Sequence, residues 1–183
     1  MLKKKLLTLA CAVGILSFGA CFAPIERPPI ARPLAGARMI LVTVTNASPS
    51  HSLDSAAFAS AIVLQLNGDY HEGFQRGSIK AVSEAPPGDA DATLNVIILS
   101  EGARKYREFL SSASSWNISI KVSATLVGRD GRVIWSDGNI ALSDRYPAQS
   151  GSSSFNWEAL NQNMVGMLTF AYQFERRMLY IRP

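Results

Sequence analysis

Cysteine is almost missing from this 183-residue chain: there are two, Cys11 and Cys21, both within the first 21 positions. From Cys21 onward a single thiol remains, which excludes an internal disulfide and a multi-cysteine zinc site. Histidine is equally scarce, with His51 and His71 alone. His71-Glu72 lacks the second histidine that a metal-binding helix supplies. There is no P-loop, no G-x-G-x-x-G and no G-x-S-x-G nucleophile elbow. His51 does lie among Ser48, Ser50 and Ser52 with Asp54 close by. Side chains so near in sequence rarely converge as a Ser-His-Asp triad, so a periplasmic hydrolase built on His51 is the weaker alternative to a non-enzymatic role. No internal repeat is visible. A large positive excess is also missing. Of 18 basic residues, Lys3, Lys4 and Lys5 precede Cys21, which leaves 15 against 14 acidic ones and a balance near +1. A nucleic-acid binder would need a clustered positive excess, so that class is excluded. No cofactor motif is present, and the length suits one domain with a real core.

What is present begins with an address. Lys3 to Lys5 form a positive region, Leu6 to Phe18 are mostly apolar, and the small residues Gly19 and Ala20 follow. This is the three-part pattern of a secretory signal, too short to span a bilayer. Ser17-Phe18-Gly19-Ala20-Cys21 resembles a bacterial lipobox, with Phe18 in place of the usual Leu. The resemblance makes residues 1–20 a signal peptide and Cys21 the site of lipidation. The alternative, cleavage after Ala23, would put Pro24 directly behind the cut. Several attached acyl chains give stable membrane anchoring, at about 0.8 kcal/mol per buried methylene. Phe22 rather than Asp after the cysteine points to the outer membrane. Residues 21–38 contain Pro24, Pro28, Pro29 and Pro33 and read as an extended tether.

Residues 39–183 are expected to form a single α+β domain: a mostly antiparallel sheet of about four strands packed by two helices, in the order β-α-β-β-β-α. Ile40, Val42 and Val44 alternate as a strand. Phe58, Ile62 and Leu66 recur at helical spacing, with Ser50 or Ser52 as the cap, Asp54 in the first turn and Asn67-Gly68 as the stop. One weak extra strand is possible near Ile79 to Val82. Asp89 and Asp91 flank Ala90 and read as solvated turn residues. Leu94, Val96 and Ile98 mark the next strand, followed by an expected loop carrying Arg104, Lys105 and Arg107. Trp116 to Leu126 alternates over eleven residues as a long strand with one dry face. Asp130-Gly131 is hairpin-turn chemistry, and the return strand from Val133 to Leu142 switches parity at Gly138, which predicts a bulge. Leu160, Met164, Met167, Ala171, Phe174, Met178 and Ile181 predict one long amphipathic helix whose methionines face the core.

This order, with Val44-Thr45-Asn46-Ala47-Ser48, Ala90-Asp91-Ala92-Thr93-Leu94, Gly131-Arg132-Val133-Ile134-Trp135 and Asp144-Arg145-Tyr146-Pro147, resembles the LPS-assembly lipoproteins, the LptE family. The chain lacks the Leu-Arg-Gly common after the lipidated cysteine, and it carries extra polar sequence from Gly68 to Gly77. The resemblance implies a lipid-anchored protein on the periplasmic face of the outer membrane. It would be no enzyme, but a plug and partner of an LptD-like β-barrel in lipopolysaccharide insertion. An auxiliary lipoprotein of a lipid-transport ABC system, or of another envelope assembly, is the alternative with a similar outline. Lipopolysaccharide is polyanionic, so Arg104, Lys105 and Arg107 are the first candidates to bind it, and Arg129 and Arg132 at the hairpin tip the second. Either group would otherwise be an ordinary solvated turn.

Overall fold

The computed structural model describes residues 38–68, 80–86, 88–107, 114–148 and 152–179. Cys21, the tether up to residue 37, His71 and Ile181 lie outside them. The elements are β1 (Met39–Asn46), α1 (Ser55–Asn67), β2 (Lys80–Val82), β3 (Ala92–Arg107), β4 (Ser114–Gly128), β5 (Val133–Pro147), α2 (Trp157–Gln162) and α3 (Met164–Leu179). The sheet has five strands in the order β2-β1-β3-β4-β5. The α+β class holds, but the sheet is mixed: β1 runs parallel to both β2 and β3, while β3, β4 and β5 form an antiparallel meander. Parallel neighbours need a crossover, and α1 lies in the one between β1 and β2. Among the described residues, no helix is long and apolar enough to cross a membrane.

The core follows from strand alternation. Ile40 and Val42 on β1, Leu94, Val96 and Ile98 on β3, and every second residue from Trp116 to Leu126 on β4 are buried on one face. Phe58, Ile62 and Leu66 of α1 and Met167, Phe170, Phe174 and Met178 of α3 join them in one cluster. The two helices are also joined by a hydrogen bond from Gln65 Nε2 to Glu175 Oε2 at 2.9 Å.

Four expectations need correction. The cap of α1 is Asp54, whose Oδ1 accepts from Ala56 N at 2.8 Å, while Ser50 Oγ and Ser52 N donate to Glu101 Oε2. The final helix is two helices. Asn163 ends α2 by donating its N–H to Leu160, and its side-chain oxygen accepts from Gly166 N. The break shifts the stripe, so Met164 is exposed and Phe170 takes a place in the core. The strand after Asp91 does not stop near Ile98. A bulge between Ile98 and Ser100 moves β3 by one residue against β4, and pairing then continues to Arg107↔Ser114. Arg104, Lys105 and Arg107 therefore sit on a strand, not in a loop. Likewise β5 continues past Leu142 to Pro147, pairing Tyr146 with Trp116. The bulge expected at Gly138 is present: Val122 pairs with Ile140 and Ala124 with Asp137, leaving Gly138 and Asn139 opposite Ser123 alone.

Both sheet edges are closed by side-chain amides. Asn67 Nδ2 donates to Ala81 O and Asn67 Oδ1 accepts from Ala81 N, each at 2.7 Å. On the other edge Gln173 Oε1 accepts from Ser143 N at 3.0 Å, and its Nε2 donates to Ser143 O at 2.9 Å. Each amide imitates one residue of an extra strand, which satisfies edge groups that would otherwise invite pairing. Asn67→Leu leaves the buried Ala81 backbone without this partner and is expected to cost about 1–3 kcal/mol. Urea denaturation reads this directly, and an unshifted midpoint would show the edge bond to be dispensable.

Candidate functional site

Strand register decides where each basic residue points. In an antiparallel pair, directly opposite residues share a face. Lys105 lies opposite Trp116, whose side chain is on the helix-covered face, so Lys105 and, two residues on, Arg107 belong to that face. Arg104 lies opposite Asn117, which in turn pairs with Arg145 of β5. Arg104 and Arg145 therefore flank Asn117 on the open face. The three residues grouped in the sequence straddle the end of the sheet, two on one side and one on the other. Arg145 joins them from β5, with its guanidinium carbon 5.4 Å from the centroid of the Tyr106 ring. In the sequence Arg145 is visible only as part of a polar exit from the sheet, since its neighbours Asn117 and Tyr106 are 28 and 39 positions away.

On the helix-covered side this end is closed by aromatic rings, with Trp157 supplied by the first turn of the short α2. Phe155 packs edge-on against Trp116 with centroids 6.1 Å apart, lies 5.8 Å from Tyr146 and meets Trp157 at 5.2 Å. Tyr146 also stacks on Phe170 of α3 at 6.4 Å. The Tyr146 hydroxyl donates to Gly166 O at 3.3 Å. A Cβ at Gly166 would come within 2.9 Å of that hydroxyl and of Leu160 Cδ1, so a larger residue there would push the Tyr146 ring or Leu160 aside. Burial, then the nearby Asp144 carboxylate, hold the Tyr146 phenol above its usual pKa, so it stays a neutral donor. A cleft of about 190 Å³ opens beside these rings, lined by Trp116, Tyr146, Phe155, Leu160, Asn156 and Asn163 among others. Lys105 stands at it, with Nζ 2.5 Å from Ser152 O and 5.7 Å from the centroid of the Trp116 ring.

The second group sits elsewhere. Arg129 and Arg132 are at the β4–β5 turn, where Gly131 takes φ +78°. That turn is at the opposite end of β4 from Ser114, which at about 3.4 Å per residue is close to 50 Å away. Arg129 Nη2 reaches Asp89 O at 3.0 Å and Asp91 Oδ1 at 3.3 Å, and its Nε reaches Ala90 O at 3.2 Å. Asp91 in turn accepts from the backbone N–H groups of Arg38 and Met39 at 2.9 and 3.0 Å. Arg129 thus brackets the β1–β3 entrance, and Asp91 is its anchor, not a solvated turn residue. Arg132 is exposed and pairs with Asp130 at 3.5 Å.

The groups near His51 are otherwise engaged. Ser50 is bound to Glu101, Asp54 caps α1, and His51 is exposed in a turn at φ +47°. Among the described residues no cluster of three or more His, Cys, Asp or Glu could hold a metal ion.

No protein-family model matches the chain, and no curated protein matches its sequence. Similar solved structures exist. One is an uncharacterized lipoprotein B of Nitrosomonas europaea, at 13% identity and TM-score 0.43, covering 78% of this chain and 83% of that one. Another is a hypothetical protein of Chlamydia trachomatis, at 14% identity and TM-score 0.43, covering 77% and 95%. A third is a minor lipoprotein of Acinetobacter baumannii, at 11% identity and TM-score 0.38, covering 77% and 91%. At such scores the function has to be argued from this chain's own residues.

The backbone bonds from Arg38 and Met39, and after them the Arg129 charge, hold the Asp91 carboxyl below its usual value. A carboxylate with a depressed folded-state pKa stabilises the fold above its unfolded value of about 3.9, and the contribution is lost as pH falls through the lower folded value. Asp91→Asn is therefore expected to melt at a lower temperature than the parent at pH 7, with the gap closing on acidification. A gap that does not narrow would remove the carboxylate's charge from the account.

Proposed function

We propose that the chain is a lipid-anchored envelope lipoprotein that assists lipopolysaccharide assembly as the partner of an LptD-like outer-membrane barrel. Cys21 carries the anchor in this reading, and the basic end of the sheet meets the polyanionic lipid. The observation that carries it is the gathering of Arg104, Lys105, Arg107 and Arg145 at one end of a domain that is near-neutral as a whole, beside an aromatic cleft. Guanidinium groups bind phosphate through paired hydrogen bonds, and four cations around one strand end can engage more than one phosphate. Arg129 takes a structural role in this proposal, since its guanidinium is occupied by the 89–91 segment. The two candidate groups are thereby separated by function as well as by distance.

The triple variant Arg104→Ser, Lys105→Ser, Arg107→Ser is expected to lose lipopolysaccharide binding by about tenfold or more, as several charge-assisted contacts disappear. Arg129→Ser is expected to lower thermal stability and leave binding unchanged. Unaltered affinity in the triple variant would sink the assignment. Affinity capture from detergent-solubilised membranes tests the partner. A large outer-membrane barrel supports the proposal, and an inner-membrane permease complex would favour the transport-system alternative.

A further inference from the structure

The aromatic cleft at the basic end carries a second statement about this site. Its lining joins Trp116, Tyr146, Phe155 and Leu160 with Asn156 and Asn163. Three of the acceptor atoms there are committed to the fold. Asn156 Oδ1 accepts from Ala159 N at 3.0 Å, Asn163 Oδ1 accepts from Gly166 N at 3.3 Å, and Ser152 O accepts from Lys105. The larger part of the exposed lining is apolar, contributed by the rings and by Leu160, with the two asparagines and Ser154 adding a polar rim. The volume of about 190 Å³ admits roughly six groups the size of a water molecule, which suits a short stretch of hydrocarbon chain. The lining itself holds no acidic side chain; the one carboxylate close to it, Asp144, stands at the Tyr146 phenol, while Lys105 stands at the cleft and Arg107 follows on the same face of β3.

We propose that this cleft takes the end of an acyl chain of an anionic amphiphile, with the acid group held at Lys105 and Arg107, and that the amphiphile is lipopolysaccharide. The choice of amphiphile rests on the function proposed above; the cleft and its chemistry do not. Charge complementarity selects the anionic head, and apolar burial among the rings holds the chain. The cations on the open face, Arg104 and Arg145, remain for phosphates that do not reach the cleft.

The test uses the full-length chain with dodecyl phosphate, kept below its micelle concentration, and purified lipopolysaccharide as separate probes. Tryptophan emission reports binding, because Trp116 lines the cleft and Trp157 contacts Phe155. Two cleft-filling variants, Ala159→Phe on α2 and Ser154→Phe on the preceding segment, are checked for an unchanged urea midpoint, so that loss of folding in one leaves the other to decide. Both probes are expected to bind the fillers about tenfold more weakly than the parent, as the chain loses its apolar seat. Lys105→Met is expected to weaken dodecyl phosphate several-fold while dodecanol is unaffected. Parent-like binding of dodecyl phosphate by the folded fillers would overturn the cleft as an acyl site. Loss of dodecyl phosphate with lipopolysaccharide unchanged would overturn lipopolysaccharide as its occupant. Neither result touches the barrel partnership, which stands or falls on affinity capture.

Discussion

A mismatch of lengths shapes this molecule. β3 has 16 residues and so runs about 50 Å at strand rise, whereas the 16 residues of α3 make only about 24 Å of helix. Two helices therefore cannot cover one face of the sheet from end to end. The uncovered stretch of hydrophobic face would leave Trp116 at the start of β4 and Tyr146 at the end of β5 in water. Phe155, Trp157 and Tyr146 close it instead, and rings tile a surface less completely than a helix does. The cleft is the residue of that imperfect covering. The cationic strand end beside it exists because β3 continues past the helical layer, where its side chains meet solvent and have no core to enter.

The bulge between Ile98 and Ser100 distributes these side chains. Without it, Ile98 parity would continue and Arg104 would point toward the helices while Lys105 pointed away. With it, Lys105 comes to the aromatic side and Arg104 to the open side. One inserted residue thus decides which cation accompanies the cleft. At the other end of the hairpin, Arg129 and Asp91 hold the strand entrance together through backbone groups. A nearly neutral domain consequently has one end whose charges are spent on the fold and another whose charges face outward.

Much of this was legible in the sequence where burial imposes a period. The strands at Ile40–Val44 and Trp116–Leu126, the helix at Phe58–Leu66 and the bulge at Gly138 could all be read, because one face of each is dry. The second half of β3 was not legible. After the bulge its parity inverts, and its residues are polar or half-exposed, so the alternation that marks a strand is gone. Pairing with β4 alone keeps it extended, and pairing leaves little trace in composition. The break at Asn163 was hidden for a related reason: the apolar spacing runs through it, and the interruption is visible only in backbone bonds made by one asparagine. The basic group was found as a run of three, but Arg145 was not, since only register brings it beside Asn117. The edge-sealing amide of Gln173 gave no signal, being an ordinary helix residue by type, and Asn67 was legible only as a helix stop.

The central claim is that the basic end of the sheet, and not the hairpin turn, meets lipopolysaccharide. Site-specific photo-crosslinking in intact cells tests it most directly, with a benzoylphenylalanine placed at position 104 in one strain and at position 132 in another. Both positions are exposed, so either probe can report a neighbour. The account predicts a lipopolysaccharide adduct from position 104 and none from position 132. An adduct from position 132 with none from position 104 would contradict it.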